Sequence, residues 1–157
     1  MNQEFPEWLK IPAPDDESLR QMQNLIKGMT LHTVCEEALC PNVGECFKSR
    51  TATFLLMGDI CTRNCNFCAV RHGSPLPLDP DEPRHIAEAC KALGLKYVVL
   101  TCVTRDDLAD GGASHMALVV KEVKKLNPGA KVELLTSDLG GNRDALKTLL
   151  EAPLDVF

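Results

Sequence analysis

Aromatic side chains make up only 4% of the 157 residues, with one tryptophan and one tyrosine, so Leu, Val, Ile and Ala must fill the core. A 45% hydrophobic content is sufficient for one. Basic charge is not in excess. The net charge is -5 with acids and bases mixed along the chain, which gives no basic stripe of the kind nucleic acid requires. No apolar run approaches the roughly 20 residues that span a bilayer. Residues 1–10 include Glu4 and Glu7 and lack the apolar region of a signal peptide. They also lack the Arg-rich, acid-poor character of a transit peptide. These absences predict a cytoplasmic protein with neither a nucleic-acid nor a membrane partner.

Cysteine is the unusual presence. The eight cysteines are Cys35, Cys40, Cys46, Cys61, Cys65, Cys68, Cys90 and Cys102. They fall short of the ~8–10% that marks a disulfide scaffold. In a reducing compartment, clustered cysteines more often bind metal or react.

Residues 1–50 read as an irregular N-terminal extension, broken early by Pro6, Pro12 and Pro14, with a short helix expected over 17–27. From residue 51 the pattern changes. Buried strands are expected at 51–57 and 96–103, and a third strand at 131–136. Helices are expected at 83–93, 113–126 and 142–151, and a fourth strand starts at 154–157. On the last helix Leu146, Leu149 and Leu150 are expected to face inward. Strands alternating with helices imply parallel pairing through right-handed crossovers. In such folds the loops leaving the C-terminal ends of the strands build the site. Those loops, 59–82, 104–112 and 137–141, hold three cysteines, an acidic Gly-Gly stretch and Ser137-Asp138-Leu139-Gly140-Gly141. A chain ending in mid-strand would leave an unpaired apolar edge, so a fragment of something larger is expected. A small open α/β domain is the alternative.

Cys61, Cys65 and Cys68 are spaced CxxxCxxC. Thiolates are the ligands of iron–sulfur clusters, which usually take four. Three on one loop can hold three irons of a cubane and leave the fourth open to the amino and carboxylate groups of S-adenosylmethionine. The spacing, following a buried strand, resembles the signature of the radical S-adenosylmethionine (SAM) superfamily. A zinc site completed by His72 is the competing reading, but structural zinc favours two spaced pairs. Inert buried cysteines are another. Cys35, Cys40 and Cys46 form a second triplet, CxxxxCxxxxxC, among turn residues that would let the loop curl around a metal.

Longer stretches sharpen the resemblance. His32-Thr33-Val34-Cys35-Glu36-Glu37-Ala38, Cys40-Pro41-Asn42, Thr51-Ala52-Thr53-Phe54, Gly58-Asp59 and Cys61-Thr62-Arg63 resemble the lipoyl synthase family. So do Gly94-Leu95-Lys96-Tyr97-Val98-Val99, Arg105-Asp106-Asp107-Leu108, Asp110-Gly111-Gly112-Ala113 and Glu151-Ala152-Pro153. The resemblance runs over nearly the whole chain. It implies an α/β fold, a partial parallel (β/α) barrel of about six strand–helix units, of which roughly half is present over 51–157. Residues 1–50 would be an irregular, cluster-binding extension.

It implies an enzyme that inserts two sulfur atoms at C6 and C8 of a protein-bound octanoyl chain to make the lipoyl cofactor. Two [4Fe-4S] clusters and S-adenosyl-L-methionine are the implied cofactors. Cys61, Cys65 and Cys68 would hold the radical-generating cluster. Cys35, Cys40 and Cys46 would hold an auxiliary cluster consumed as sulfur source. Phe67 would lie near the adenine, and Asp110, Gly111 and Gly112 would help to bind S-adenosylmethionine. The implied partners are octanoylated lipoyl carrier domains (2-oxoacid dehydrogenase acyltransferase subunits and the glycine cleavage H protein) and an electron donor such as ferredoxin or flavodoxin. The family's serine ligand to the auxiliary cluster, in an Arg-Ser-Ser-Tyr motif, is not among these residues. The alternatives are a non-catalytic iron–sulfur protein or another sulfur-inserting radical enzyme such as biotin synthase. Asp106, Asp107 and Asp110 have a plainer reading as turn and cap residues. Cys90 and Cys102 are read as buried structural cysteines, His32 as structural, and His85 and His115 as solvated.

Overall fold

In a computed structural model of the chain, the described residues are 31–37, 49–157 and nine isolated positions: Pro6, Arg20, Asn24, Ile26, Gly28, Met29, Asn42, Glu45 and Cys46. The helix expected over 17–27 lies mostly outside them. So does Cys40.

The main sheet has the order β1 (His32–Thr33), β2 (Thr51–Leu56), β5 (Tyr97–Cys102), β6 (Lys131–Leu135). Strands β2, β5 and β6 pair in parallel, with Phe54 opposite Leu100 and Leu100 opposite Leu134. The helices that follow them are α2 (Glu82–Ala92), α3 (Ala113–Leu126) and α4 (Arg143–Leu150). The expected strand–helix alternation is therefore present. The fold is a partial β/α arrangement that does not close into a barrel among the described residues.

Two features have no counterpart in the sequence pattern. The two-residue strand β1 (His32–Thr33) pairs antiparallel with β2, His32 opposite Leu55, and leads into a single helical turn, α1 (Val34–Glu37). Within the expected loop, β3 (Ile60–Cys61) and β4 (Arg71–His72) pair as a separate two-stranded parallel sheet. Both are too short for a periodicity to register.

The core follows from alternation along the strands. Ala52, Phe54, Leu56, Val98, Leu100, Val132 and Leu134 are buried and join Ile86, Ala89 and Cys90 of α2 and Met116, Val119, Val120 and Val123 of α3 in one cluster. Full burial of each large aliphatic side chain stabilises by about 1.5–3 kcal/mol relative to exposure. The helices pack side by side, α2 against α3 and α3 against α4. The opposite sheet face is less covered: Thr53, Val99, Thr101 and Glu133 are half-buried and Leu135 is exposed. β5 and β6 thus alternate between buried and less covered positions along their length. On α4 only Leu149 of the three leucines is buried; Leu146 and Leu150 are 38% and 59% exposed. Ala145 and Leu149, one turn apart, form the inward stripe, and that turns the 146/150 pair away from α3. The fourth strand is only begun: Glu133 and Val156 form an isolated parallel bridge beside β6.

Candidate functional site

The loops that follow β2, β5 and β6 meet at the C-terminal end of the sheet, and the chemistry-bearing residues concentrate there. β2 ends in an abrupt turn. Met57 takes a left-handed backbone conformation (φ 68°) and Gly58 follows at φ 91°. For a non-glycine residue this region costs about 1–2 kcal/mol, so surrounding contacts must hold it. Those contacts are present. The Met57 N–H donates to both carboxylate oxygens of buried Glu82, at 3.0 and 3.1 Å. His115 Nε2 lies 2.5 Å from Glu82 Oε2. The Met57 side chain occupies the space beside Gly112, where an added Cβ would come within 2.2 Å of its sulfur. Gly112 is also left-handed, at φ 87°.

The turn launches the cysteine loop. Cys61 is on β3, and its Sγ accepts backbone N–H groups from Thr104 at 3.2 Å and Arg63 at 3.4 Å. Its carbonyl accepts the Gly73 N–H at 2.9 Å, closing the loop on itself. Asp59 and Arg71 form an ion pair across the same small sheet. Cys65 and Cys68 are exposed, joined by a turn in which the Cys68 N–H donates to the Cys65 carbonyl at 3.0 Å. Phe67, between them, is 94% exposed.

Thr62 and Arg63 tie this loop to the other two. Thr62 donates its backbone N–H and its hydroxyl to the Thr104 carbonyl, both at 3.0 Å, and its hydroxyl accepts the Asp106 N–H at 3.1 Å. Arg63 grips Asp106 with two bonds, at 2.8 and 2.7 Å, and reaches Asp138 at 2.8 Å. The bonds to Arg63 hold the Asp106 and Asp138 carboxyls below the usual carboxylate range. One guanidinium therefore links the ends of three parallel strands. Sequence reading gave no role to Arg63, Asp138, Glu82 or Met57. The signal for the first pair was a cation inside the cysteine motif with an acid in each neighbouring loop. Glu82, before Pro83 at a helix start, carried no signal beyond a cap.

The 105–112 loop has its own partners. Buried Arg105 pairs with Asp107 through two bonds of 2.8 Å, which lowers the Asp107 pKa. Asp110 accepts the Gly112 and Ser114 N–H groups, each at 2.9 Å, at the start of α3. The turn-and-cap reading describes the contacts of Asp110, whereas Asp106 and Asp107 are paired with Arg63 and Arg105. Gly111 remains half-exposed.

His115 is not solvated as expected: its side chain is 9% exposed and faces Glu82. Helical spacing places it on the side of α3 that meets α2, next to buried Met116. His85 is half-buried, and its Nδ1 has no hydrogen-bond partner. Cys90 is core, and burial pushes its thiol up to about 12. Cys102 is half-buried at the end of β5 with Sγ 3.9 Å from Thr136 Oγ1, and burial raises its thiol pKa. Cys35 and Cys46 are both half-buried. A cavity of about 150 Å³ lies at the root of the cysteine loop, lined by His32, Met57, Gly58, Asp59, Ile60 and Glu82 together with Asp79 and residues 75–77.

The donor set suits an iron–sulfur cluster. Three thiols share one loop, and one receives N–H groups of the kind that tune cluster sulfurs. Among the described residues no three His, Cys, Asp or Glu side chains gather closely enough to hold a single metal ion. A cubane spreads its thiolates over separate iron corners. No helix among the described residues is long and apolar enough to cross a membrane.

The chain is 58% identical over 152 residues to a lipoyl synthase of Caldanaerobacter subterraneus, covering 97% of this chain and 53% of the relative. A lipoyl synthase of Caldicellulosiruptor saccharolyticus is 51% identical over 157 residues, 100% of this chain and 55% of its own. One of Deinococcus radiodurans is 52% identical over 153 residues, 97% and 46% respectively. The chain thus spans about half the length of these curated relatives. The family model described as "Radical SAM superfamily" matches residues 55–157, from the strand before the cysteine loop onward, and the chain belongs to that superfamily.

Proposed function

We propose that this chain is the N-terminal part of a lipoyl synthase, which inserts sulfur at C6 and C8 of an octanoyl chain carried on a protein lysine. The superfamily implies a [4Fe-4S] cluster and S-adenosylmethionine. The observation that carries the reading is the open loop bearing Cys61, Cys65 and Cys68 at the C-terminal end of the parallel strands, in a chain 58% identical to a lipoyl synthase. These three residues would hold the cluster, which when bound supplies the electron that cleaves S-adenosylmethionine to a 5′-deoxyadenosyl radical.

The chain's own residues have definable parts. The Thr104 and Arg63 N–H groups direct positive dipole at the Cys61 sulfur. Arg63, held by Asp106 and Asp138, keeps the loop over the strand ends. Exposed Phe67 offers a ring face for adenine, and half-exposed Gly111 lies in the loop that follows β5. Asp110 and Gly112 support that loop from inside, through the start of α3 and the seat for Met57. Cys35, Cys40 and Cys46 would hold the second, auxiliary cluster. We read residues 1–50 as the extension carrying it and 51–157 as the first half of the barrel. Octanoylated carrier domains would be the substrate, and a ferredoxin or flavodoxin the electron donor, in the cytoplasm.

The test is anaerobic reconstitution of the full-length protein with iron and sulfide, then reduction and addition of S-adenosylmethionine and an octanoylated carrier domain. About eight irons per chain, 5′-deoxyadenosine and a lipoylated product are expected. Cluster binding without 5′-deoxyadenosine would favour a non-catalytic iron–sulfur protein. 5′-Deoxyadenosine without sulfur insertion would point to a different radical reaction.

A further inference from the structure

Met57 is held from two segments, the start of α2 and the start of α3. Glu82 is at the start of α2, 25 residues from Met57, and supplies both carboxylate oxygens to one backbone N–H. His115 is on α3, 33 residues from Glu82, and holds the carboxylate at 2.5 Å. Gly112, just before α3, leaves room for the Met57 side chain that a Cβ would fill. All this surrounds a residue in a left-handed conformation, four positions before Cys61. Glu82 and His115 are 8% and 9% exposed, so the bonds are shielded from competing water. A buried carboxylate needs hydrogen-bond partners to stay buried. A lone helix-capping role would have directed Glu82 at the first turn of its own helix, yet it is spent on the end of β2.

We infer that Glu82 and His115 are positioning residues for the radical-generating site. They clamp the left-handed turn at Met57 and so set the point and direction from which the loop with Cys61, Cys65 and Cys68 leaves the sheet. Among the described residues, neither side chain is hydrogen-bonded to a cysteine. Their effect passes through the Met57 backbone. His115 fixes the orientation of the carboxylate, and the carboxylate fixes the turn. The cavity beside the loop shares Met57 and Glu82 in its wall, so loosening the clamp would also change the floor of the site. This inference rests on the assignment of the three cysteines as cluster ligands.

The experiment compares Glu82→Gln, His115→Leu and His115→Gln with wild type in reconstituted full-length protein. His115→Gln retains an N–H that can donate to Glu82, and His115→Leu does not. Thermal melting and iron content report the fold and the cluster. The electron paramagnetic resonance (EPR) spectrum of the reduced cluster, with and without S-adenosylmethionine, reports the site. Glu82→Gln and His115→Leu should fold and bind iron, raise the KM for S-adenosylmethionine about tenfold and blunt the spectral response. His115→Gln should restore both. An unchanged KM and an unchanged response in folded Glu82→Gln and His115→Leu would overturn the clamp. If those variants do not fold, hydrogen exchange in the wild type decides. The Met57 amide must exchange as slowly as those of β2, and exchange as fast as residues 64–67 overturns the inference. Wild-type protein that holds no cluster at these cysteines would sink the cysteine assignment instead, and the Met57 amide would still judge the clamp.

Discussion

The cysteine loop is held at its root and at its outer surface by opposite kinds of contact. At the root, Glu82, His115 and Gly112 enclose Met57 away from water. At the surface, Arg63 holds Asp106 and Asp138 with about a third to two-thirds of each side chain exposed. The hydrogen-bond distances are similar, so geometry alone does not separate the two anchors. Solvent does. A desolvated hydrogen bond keeps its electrostatic strength, and breaking one side leaves a buried group unsatisfied. An exposed ion pair is screened by salt and offset by the entropy of ordering two long side chains. The root is a structural constraint, and the outer anchor is an adjustable one that brings three loops into register.

The sharpest way to break the comparison is Gly112→Ala. It forces a Cβ against the Met57 sulfur in a backbone conformation that disfavours L side chains. Denaturant titration should show a loss of about 3 kcal/mol. A loss under about 0.5 kcal/mol would mean that the root is soft and the two anchors are alike.

Cys90→Ala comes next and separates core thiols from site thiols. Trimming this fully buried sulfur should cost about 1 kcal/mol in the same titration and leave the iron content of reconstituted protein intact. Cys61→Ala should do the reverse, lowering bound iron with a smaller effect on unfolding. Equal iron loss in both variants would contradict the division.

Smaller still is the pH dependence of the outer anchor. The carboxyls of Asp106 and Asp138 are shifted down in the fold by their bonds to Arg63. A depressed folded pKa adds stability above the ordinary carboxylate value, and the addition is lost as pH falls through the depressed value. The gap in melting temperature between wild type and Asp106→Asn should therefore be constant near neutrality and close as pH drops below about 4. A gap that widens on acidification would reverse the sign of the assignment. The smallest effect belongs to Arg63→Gln. Its melting shift at low salt should vanish near 1 M salt, where the Debye length is about 3 Å. Persistence at high salt would place Arg63 with the buried anchor.

Much of this could be read along the chain. Helix 113–126 has the expected bounds because Met116, Val119, Val120 and Val123 repeat at helical spacing. Strands β2, β5 and β6 fall within a residue or two of their expected limits. The misreadings share a cause. Leu146 and Leu150 are apolar and helical, but which stripe of α4 turns inward depends on where α3 lies. His115 reads as polar and hence solvated, until the buried carboxylate that faces it is known. β1, β3 and β4 are two residues each and exist only because a partner strand is near.

Local spacing by itself determined the alternation of strands and helices and the three thiols on one loop, since both are written within a few consecutive residues. Only the folded chain decided what holds that loop in place. The Glu82–Met57 and Arg63–Asp138 bonds join residues 25 and 75 positions apart. No periodicity links such partners. They meet because parallel pairing delivers the ends of successive strands to one side of the sheet, and burial then selects which charges can remain there.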